Sequence, residues 1–127
     1  MAINRTSNIL IVDNDGTARE IVRKLLTQIG FSNIDEVADG AAALTKIAEK
    51  NYGLVISEWN NEPIDGRAML KQMRAEKRFE NLPVIIMAAN SAINKIVQAN
   101  HAGANGFINK PFTAAALRAK ISEINAK

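Results

Sequence analysis

The sequence predicts an α/β domain in which a five-stranded parallel sheet is covered by helices on both faces. Short apolar runs recur along the chain, and a segment with apolar residues at helical spacing follows each run. The runs do not alternate with polar residues, which is typical of strands that are buried on both sides. Strands that alternate with helices form parallel sheets, because each helix returns the chain to the same edge.

The first strand and helix have the clearest predicted boundaries. Ile9 to Val12 is a continuous apolar run, as expected for a central strand. Thr17 and Glu20 then fit a capping box with Thr17 as the N-cap, and Gly30 is placed to end the helix. The other predicted strands run from Ile34 to Ala38, Leu54 to Ser57, Val84 to Ala88 and Gly106 to Asn109. Their helices begin with the capping residues Asp39, Asp65, Ser91 and Thr113.

Length and composition indicate one soluble domain. The 127 residues fit a single domain over 8–127 preceded by an N-terminal tail over 1–7. The absence of cysteine excludes disulfides and thiolate metal sites. No apolar run reaches membrane length, and the N-terminus has no signal-peptide character. The net charge of +3 is scattered, without a basic run interleaved with aromatics, so we expect a cytoplasmic protein that binds neither nucleic acid nor membrane.

Three ionisable residues fall at predicted strand ends. Asp13 follows the first strand, Glu58 follows the third and Lys110 follows the fifth. A flavodoxin-like doubly wound sheet has the strand order 2-1-3-4-5, which places the first and third strands side by side. Ligands bind at the carboxyl ends of such strands. We therefore expect two acids and a lysine at one edge of the sheet. Taken alone, Asp13 and its neighbours could equally be turn residues.

Two segments carry a resemblance to a known family. They are Val55-Ile56-Ser57-Glu58-Trp59-Asn60 followed by Asp65-Gly66, and Gly103-Ala104-Asn105-Gly106-Phe107 followed by Lys110-Pro111-Phe112. Both are similar to receiver domains of two-component response regulators, most closely to the chemotaxis (CheY-like) branch, and the resemblance covers nearly the whole chain. It implies a phosphorelay signalling protein that is not an enzyme. It also implies that Glu58 stands where the family has its phosphoacceptor aspartate, with Lys110 beside it.

The resemblance also identifies where this chain departs from the family. It implies a Mg²⁺ site formed by Asp13, Glu58 and Asn60, with Asn14 at the position of a second acid. Ala88 replaces the hydroxyl residue that would bond to the phosphoryl group, and Phe107 replaces the switch tyrosine. Glutamate extends the carboxylate by ~1.5 Å, and a misplacement of about 1 Å can lower a rate about a hundredfold. Because Mg²⁺ requires near-octahedral oxygen ligands, we expect Mg²⁺ binding to be weak.

The sequence therefore predicts a stand-alone receiver-like protein that does not depend on phosphorylation, in which Glu58 pairs with Lys110. By resemblance, its partners are signalling proteins, either a histidine kinase or a downstream target. They would bind the face formed by the fourth helix, fifth strand and fifth helix, with Ile96, Asn100, Phe107 and Arg118 on or near it. One alternative is a catalytically competent, Mg²⁺-dependent response regulator phosphorylated by a histidine kinase. A nucleotide- or flavin-binding protein is less favoured, because the loop after the first strand is acidic and lacks a phosphate-binding glycine pattern.

Overall fold

A computed structural model describes residues 2–61, 64–89 and 93–127, with Ile93 and Asn94 described as backbone only. All neighbouring strands are parallel, and their order is β2-β1-β3-β4-β5. The strands are β1 (Ile9–Val12), β2 (Ile34–Val37), β3 (Leu54–Glu58), β4 (Val84–Ala89) and β5 (Gly106–Lys110). The helices are α1 (Gly16–Gln28), α2 (Gly40–Glu49), α3 (Gly66–Ala75), α4 (Ile93–Ala102) and α5 (Ala114–Asn125), and a 3₁₀ turn spans Lys77–Phe79. The predicted fold class and strand order are confirmed.

The core has two halves, one on each face of the sheet. Successive side chains of a strand point to opposite faces. Ile9 and Ile11 therefore contribute to one cluster, whereas Leu10 and Val12 contribute to the other. All four are completely buried, which explains why the first strand is apolar at every position. The first cluster is completed by residues of α1 and α5, and the second by residues of α2, α3 and α4.

The helix boundaries agree with the sequence at most ends, with one correction. The prediction that Thr17 caps α1 is wrong, because Asp15 is the N-cap and its carboxylate accepts hydrogen bonds from the amides of Thr17 and Ala18. Gly30 ends α1 with a φ of 106°, a backbone conformation that side chains disfavour. Thr113 caps α5 as predicted. The predicted cap at Ser91 lies outside the described residues.

Two tight contacts fix the framework around the carboxyl end of β3. A Cβ atom on Gly66 would lie 2.9 Å from the carbonyl oxygen of Glu58, so α3 begins directly against the end of that strand. Within the N-terminal segment, Ile3 is buried and exchanges two hydrogen bonds with the side chain of Asn125. That segment therefore packs on the domain beside α5. No helix in the described part of the chain is long and apolar enough to cross a membrane.

Candidate functional site

The sheet register brings the three predicted site residues to the same edge. Val12 of β1 lies opposite Ser57 of β3, so the residues that follow them, Asp13 and Glu58, are neighbours. Lys110 is the last residue of β5, one strand beyond β4. Its long side chain reaches across the end of β4 towards both acids. The lysine is followed by Pro111 through a cis peptide bond.

Lys110 joins the two acids through its ammonium group. Its Nζ donates a hydrogen bond of 2.8 Å to Oδ2 of Asp13 and one of 2.7 Å to Oε1 of Glu58. The side chains are largely enclosed, with 22% of Lys110, 13% of Glu58 and 2% of Asp13 exposed. The pairing of Glu58 with Lys110 that we expected from the sequence is therefore present. Both ion pairs are partly shielded from water, so they interact more strongly than surface pairs do.

The remaining carboxylate oxygens also have donors. The amide of Asp15 donates to Oδ1 of Asp13 over 3.0 Å. The amide of Asn60 donates to Oε2 of Glu58 over 3.1 Å. Every carboxylate oxygen of Asp13 and Glu58 thus accepts a hydrogen bond from the protein itself. One ammonium faces two carboxylates, so the three side chains together keep one net negative charge.

Burial and the two neighbouring carboxylates have opposite effects on the pKa of Lys110. Burial disfavours the charged ammonium and lowers its pKa, but the hydrogen bonds and charges of Asp13 and Glu58 outweigh burial. The pKa of Lys110 is therefore raised above its ordinary value. The lysine is held in its charged form between the two carboxylates throughout the neutral pH range.

Asn61 is a site residue that the sequence did not single out. Its side chain is almost fully buried, although asparagine is usually exposed. Its Oδ1 accepts a hydrogen bond of 3.2 Å from the amide of Asn14, and its Nδ2 donates one of 3.3 Å to the carbonyl of Glu58. Asn61 therefore connects the loop after β1 with the loop after β3. Asparagine in a loop normally indicates a turn, so only its position three residues after Glu58 could have drawn attention to it.

The other predicted site residues lie around this edge in different environments. Asn14 is exposed, and its backbone amide is held by Asn61. Asp15 is directed to the start of α1 by its capping hydrogen bonds. Ala88 is completely buried in β4, and Phe107 is half-buried against the core cluster that contains Ala88. Their roles as acid-pair and switch positions stay predictions.

Sequence comparison gives the family. The family model described as the response regulator receiver domain matches residues 9–122. This chain belongs to the response regulator receiver domain family. It is 39% identical over 122 residues to the chemotaxis protein CheY-3 of Vibrio cholerae, a match that covers 96% of this chain and 94% of that protein. Receiver domains of this kind act in two-component signalling.

Solved receiver structures share the fold. A candidate response regulator from Chloroflexus aurantiacus superposes with a TM-score of 0.90 at 28% identity, covering 96% of this chain and 99% of that one. The receiver domain of a sensor histidine kinase from Pseudomonas aeruginosa, which holds a magnesium ion in its active-site cleft, gives a TM-score of 0.86 at 22% identity, with coverages of 96% and 99%. At the latter identity the likeness shows the fold alone.

Proposed function

We propose that this receiver domain signals by protein contact without being phosphorylated. The observation that carries the proposal is the pair of hydrogen bonds from Lys110 to Asp13 and Glu58. The carboxylate at the phosphoacceptor position is already bound to the lysine that would otherwise meet a phosphoryl oxygen. Glu58 then takes the place of an acyl phosphate as the permanent anionic partner of Lys110.

Phosphoryl transfer to this site faces three obstacles. The nucleophilic oxygen must attack in line with the leaving group, and glutamate displaces that oxygen by ~1.5 Å from where an aspartate would hold it. Both oxygens of Glu58 accept hydrogen bonds, and such donors lower the nucleophilicity of a carboxylate oxygen. Ala88 offers no hydroxyl to the phosphoryl group. Each obstacle weakens interactions that are needed in the same transition state.

The residues at this edge also fit Mg²⁺ poorly. The ion prefers carboxylate and carbonyl oxygens in near-octahedral geometry. Here the ammonium of Lys110 lies against one oxygen of each acid, and backbone amides occupy the others. Across the part of the chain that the structure describes, no group of three Asp, Glu or His residues is arranged to hold a metal ion. We therefore propose weak Mg²⁺ binding at the position of Asp13, Glu58 and Asn60.

Trp59 can report on Mg²⁺ binding. Its side chain is buried and it directly follows Glu58, so an ion that drew Glu58 away from Lys110 would change its surroundings. We expect no saturable change in Trp59 emission at sub-millimolar Mg²⁺. Saturable quenching in that range would contradict weak binding.

The partner surface that we propose is the face of α4, β5 and α5. Asn100 and Arg118 are exposed there, while Ile96 and Phe107 are half-buried. Ala88 is a small, fully buried residue of the cluster against which Phe107 packs, and the phenyl ring of Phe107 has no hydroxyl that needs water. Burying a phenyl ring is worth roughly 1.5–3 kcal/mol relative to exposure. An inward Phe107 would therefore hold this face in one state without phosphate.

Intact mass measurement after incubation with acetyl phosphate and Mg²⁺ tests the proposal. We expect no phosphorylated wild-type protein. The triple variant Asn14→Asp, Glu58→Asp, Ala88→Thr is the matched control, since it restores the family residues on the same scaffold and is expected to be phosphorylated. Stoichiometric phosphate on Glu58 would instead favour the alternative, a competent response regulator. That alternative is supported by Asp13 and Lys110, both of which this chain retains.

A further inference from the structure

α3 and α4 are neighbouring helices that contain no acidic residue. α3 carries Arg67, Lys71 and Arg74, and α4 carries Lys95 and His101. The helices α1, α2 and α5 each contain a glutamate beside their basic residues. The sequence also has no Asp or Glu anywhere between Glu80 and Glu123. The surface formed by α3 and α4 is therefore basic, with the acids Asp65 and Glu76 confined to the two ends of α3.

A groove lies between the two helices. It has a volume of about 210 Å³ and is lined by Arg67, Lys71, Gln98, His101 and Ala102. We call it the α3–α4 groove. Arg67 and Lys71 are four residues apart, so both side chains lie on the same side of α3. Both are exposed, and no carboxylate in the described ranges forms an ion pair with either.

An exposed apolar residue adjoins the α3–α4 groove. Val97 is 46% exposed, and only Ile21 is comparable among the large hydrophobic residues that the structure describes. Val97 lines a second concavity of about 360 Å³ with Asn100 and His101. Because His101 lines both concavities, the apolar residue and the two cations belong to one continuous surface.

We propose that the α3–α4 groove is a docking site for a short acidic segment of a partner protein. Carboxylates of the segment pair with Arg67 and Lys71, and an apolar side chain of the segment covers Val97. Electrostatic complementarity of this kind speeds association and selects acidic partners over basic ones. The groove lies on the α3 side of α4, and Asn100 joins the Val97 concavity to the face of α4, β5 and α5. The inference rests on the charges of Arg67 and Lys71 and the exposure of Val97, so it does not depend on whether Glu58 accepts phosphate.

Other anionic partners fit this surface less well. Single-stranded nucleic acid needs aromatic side chains for stacking along a basic track, and no aromatic residue lines the groove. An anionic membrane is bound by helices with a broad apolar face, whereas Val97 is a single exposed residue. A narrow groove with two cations and one apolar contact suits a peptide.

The test uses a synthetic peptide of repeated Glu-Glu-Leu triplets with blocked ends, titrated into the ¹⁵N-labelled full chain. We expect amide shift changes concentrated in α3 and α4. Reversing both charges, as Arg67→Glu and Lys71→Glu, should weaken binding roughly tenfold. The pair Lys24→Glu and Lys77→Glu changes the net charge equally at exposed positions without ion pairs, and should leave affinity within about twofold.

A second pair of variants tests the apolar contact without altering charge. Val97→Ala should weaken peptide binding several-fold. Ile21→Ala, at the other exposed large hydrophobic residue that the structure describes, should leave peptide binding unchanged. Equal weakening by both charge-reversal pairs, or shift changes spread over every basic surface, would overturn the proposal. So would tighter binding of oligothymidylate or of phosphatidylserine vesicles that depends on Arg67 and Lys71.

Discussion

Lys110 and Arg74 are two partly buried cations at opposite edges of the sheet, and their partners differ. Lys110, at the carboxyl edge, contacts two carboxylates. Arg74 lies beside the amino ends of β4 and β5 and, among the residues that the structure describes, donates hydrogen bonds to neutral oxygens only. It donates to the carbonyl of Gly103 over 2.8 and 3.0 Å, to the carbonyl of Phe79 over 2.6 Å and to the side-chain oxygen of Asn105 over 3.0 Å.

The difference fits a structural role for Arg74 and the functional role that we propose for Lys110. Arg74 donates hydrogen bonds to backbone carbonyls in the segments that precede β4 and β5. Burial is the cause of its lowered pKa. Removal of Arg74 would take both guanidinium hydrogen bonds from the carbonyl of Gly103, whereas Phe79 and Asn105 would each keep one backbone donor. Lys110 is coupled to groups that can change charge or partner, so its contacts can respond to a ligand. The contacts of Arg74 therefore hold loops at the amino edge of the sheet, whereas those of Lys110 join two acids at the carboxyl edge.

Replacing Arg74 should have the largest effect on stability. Arg74→Met keeps the length and apolar stem of the side chain but removes both guanidinium hydrogen bonds to the carbonyl of Gly103 and one to the carbonyl of Phe79. The carbonyl of Phe79 keeps only the longer hydrogen bond of 3.3 Å from the amide of Leu82. We expect a loss of about 2–4 kcal/mol in the free energy of unfolding, measured by urea denaturation. Lys71→Met, one turn away on the exposed side of α3, should cost less than about 0.5 kcal/mol. A loss below about 1 kcal/mol for Arg74→Met would mean that water replaces the guanidinium.

Replacing Lys110 should have a smaller effect that depends on pH. Lys110→Met leaves Asp13 and Glu58 close together without a cation, but the carboxyl edge is open enough for water to reach Glu58. We expect a loss of about 1–3 kcal/mol at pH 7.

The pH dependence of that loss follows from the raised pKa of Lys110. A raised folded-state pKa gives stability that is fully present below the unfolded-state value of about 10.4. The contribution is lost as the pH rises through the folded-state value. The stability difference between wild type and Lys110→Met, measured by denaturation from neutral to alkaline pH, should therefore be constant up to about pH 10 and then shrink. A difference that already falls near pH 8 would contradict the two ion pairs.

Asn61 should matter less than either cation. Asn61→Ala removes the two hydrogen bonds to Asn14 and Glu58, both of which are long at 3.2 and 3.3 Å. We expect a loss of about 1 kcal/mol in urea denaturation. The matched control is Asn60→Ala, because Asn60 contacts Glu58 through its backbone amide, which alanine keeps. Equal effects of the two variants would mean that the loop, rather than the Asn61 side chain, is responsible.

The strands could be predicted because their signals are local, and of the two ion pairs of Lys110 the sequence predicts only the one with Glu58. β1 is apolar at each position since it is buried on both faces, and the polar residue after it marks the strand end. Parallel strand order then brings Asp13, Glu58 and Lys110 together without further information.

Other features depend on tertiary packing that the sequence does not display. The burial of Asn61 follows from how two loops meet, and asparagine alone indicates only a turn. The basic residues are scattered along the sequence, but α3 and α4 place Arg67, Lys71 and His101 around one groove. At α1, Asp15 and Thr17 are both good capping residues, and the structure favours Asp15, whose carboxylate reaches two free amides.

The smallest expected effect concerns Glu58, which we propose to stand at the phosphoacceptor position. Glu58→Asp alone should leave the protein without detectable phosphate in the acetyl phosphate assay, although it restores the family residue. The missing carboxylate at Asn14 and the missing hydroxyl at Ala88 act on the same transition state, and groups that act as a unit are strongly non-additive. The shorter side chain of aspartate would also lose the hydrogen bond with Lys110, so Lys110 would bond to Asp13 alone. Addition of Asn14→Asp and Ala88→Thr should then raise phosphorylation by more than any single change. If Glu58→Asp alone were phosphorylated as fully as the triple variant, the length of one side chain would be the whole barrier, and Asn14 and Ala88 would be neutral changes.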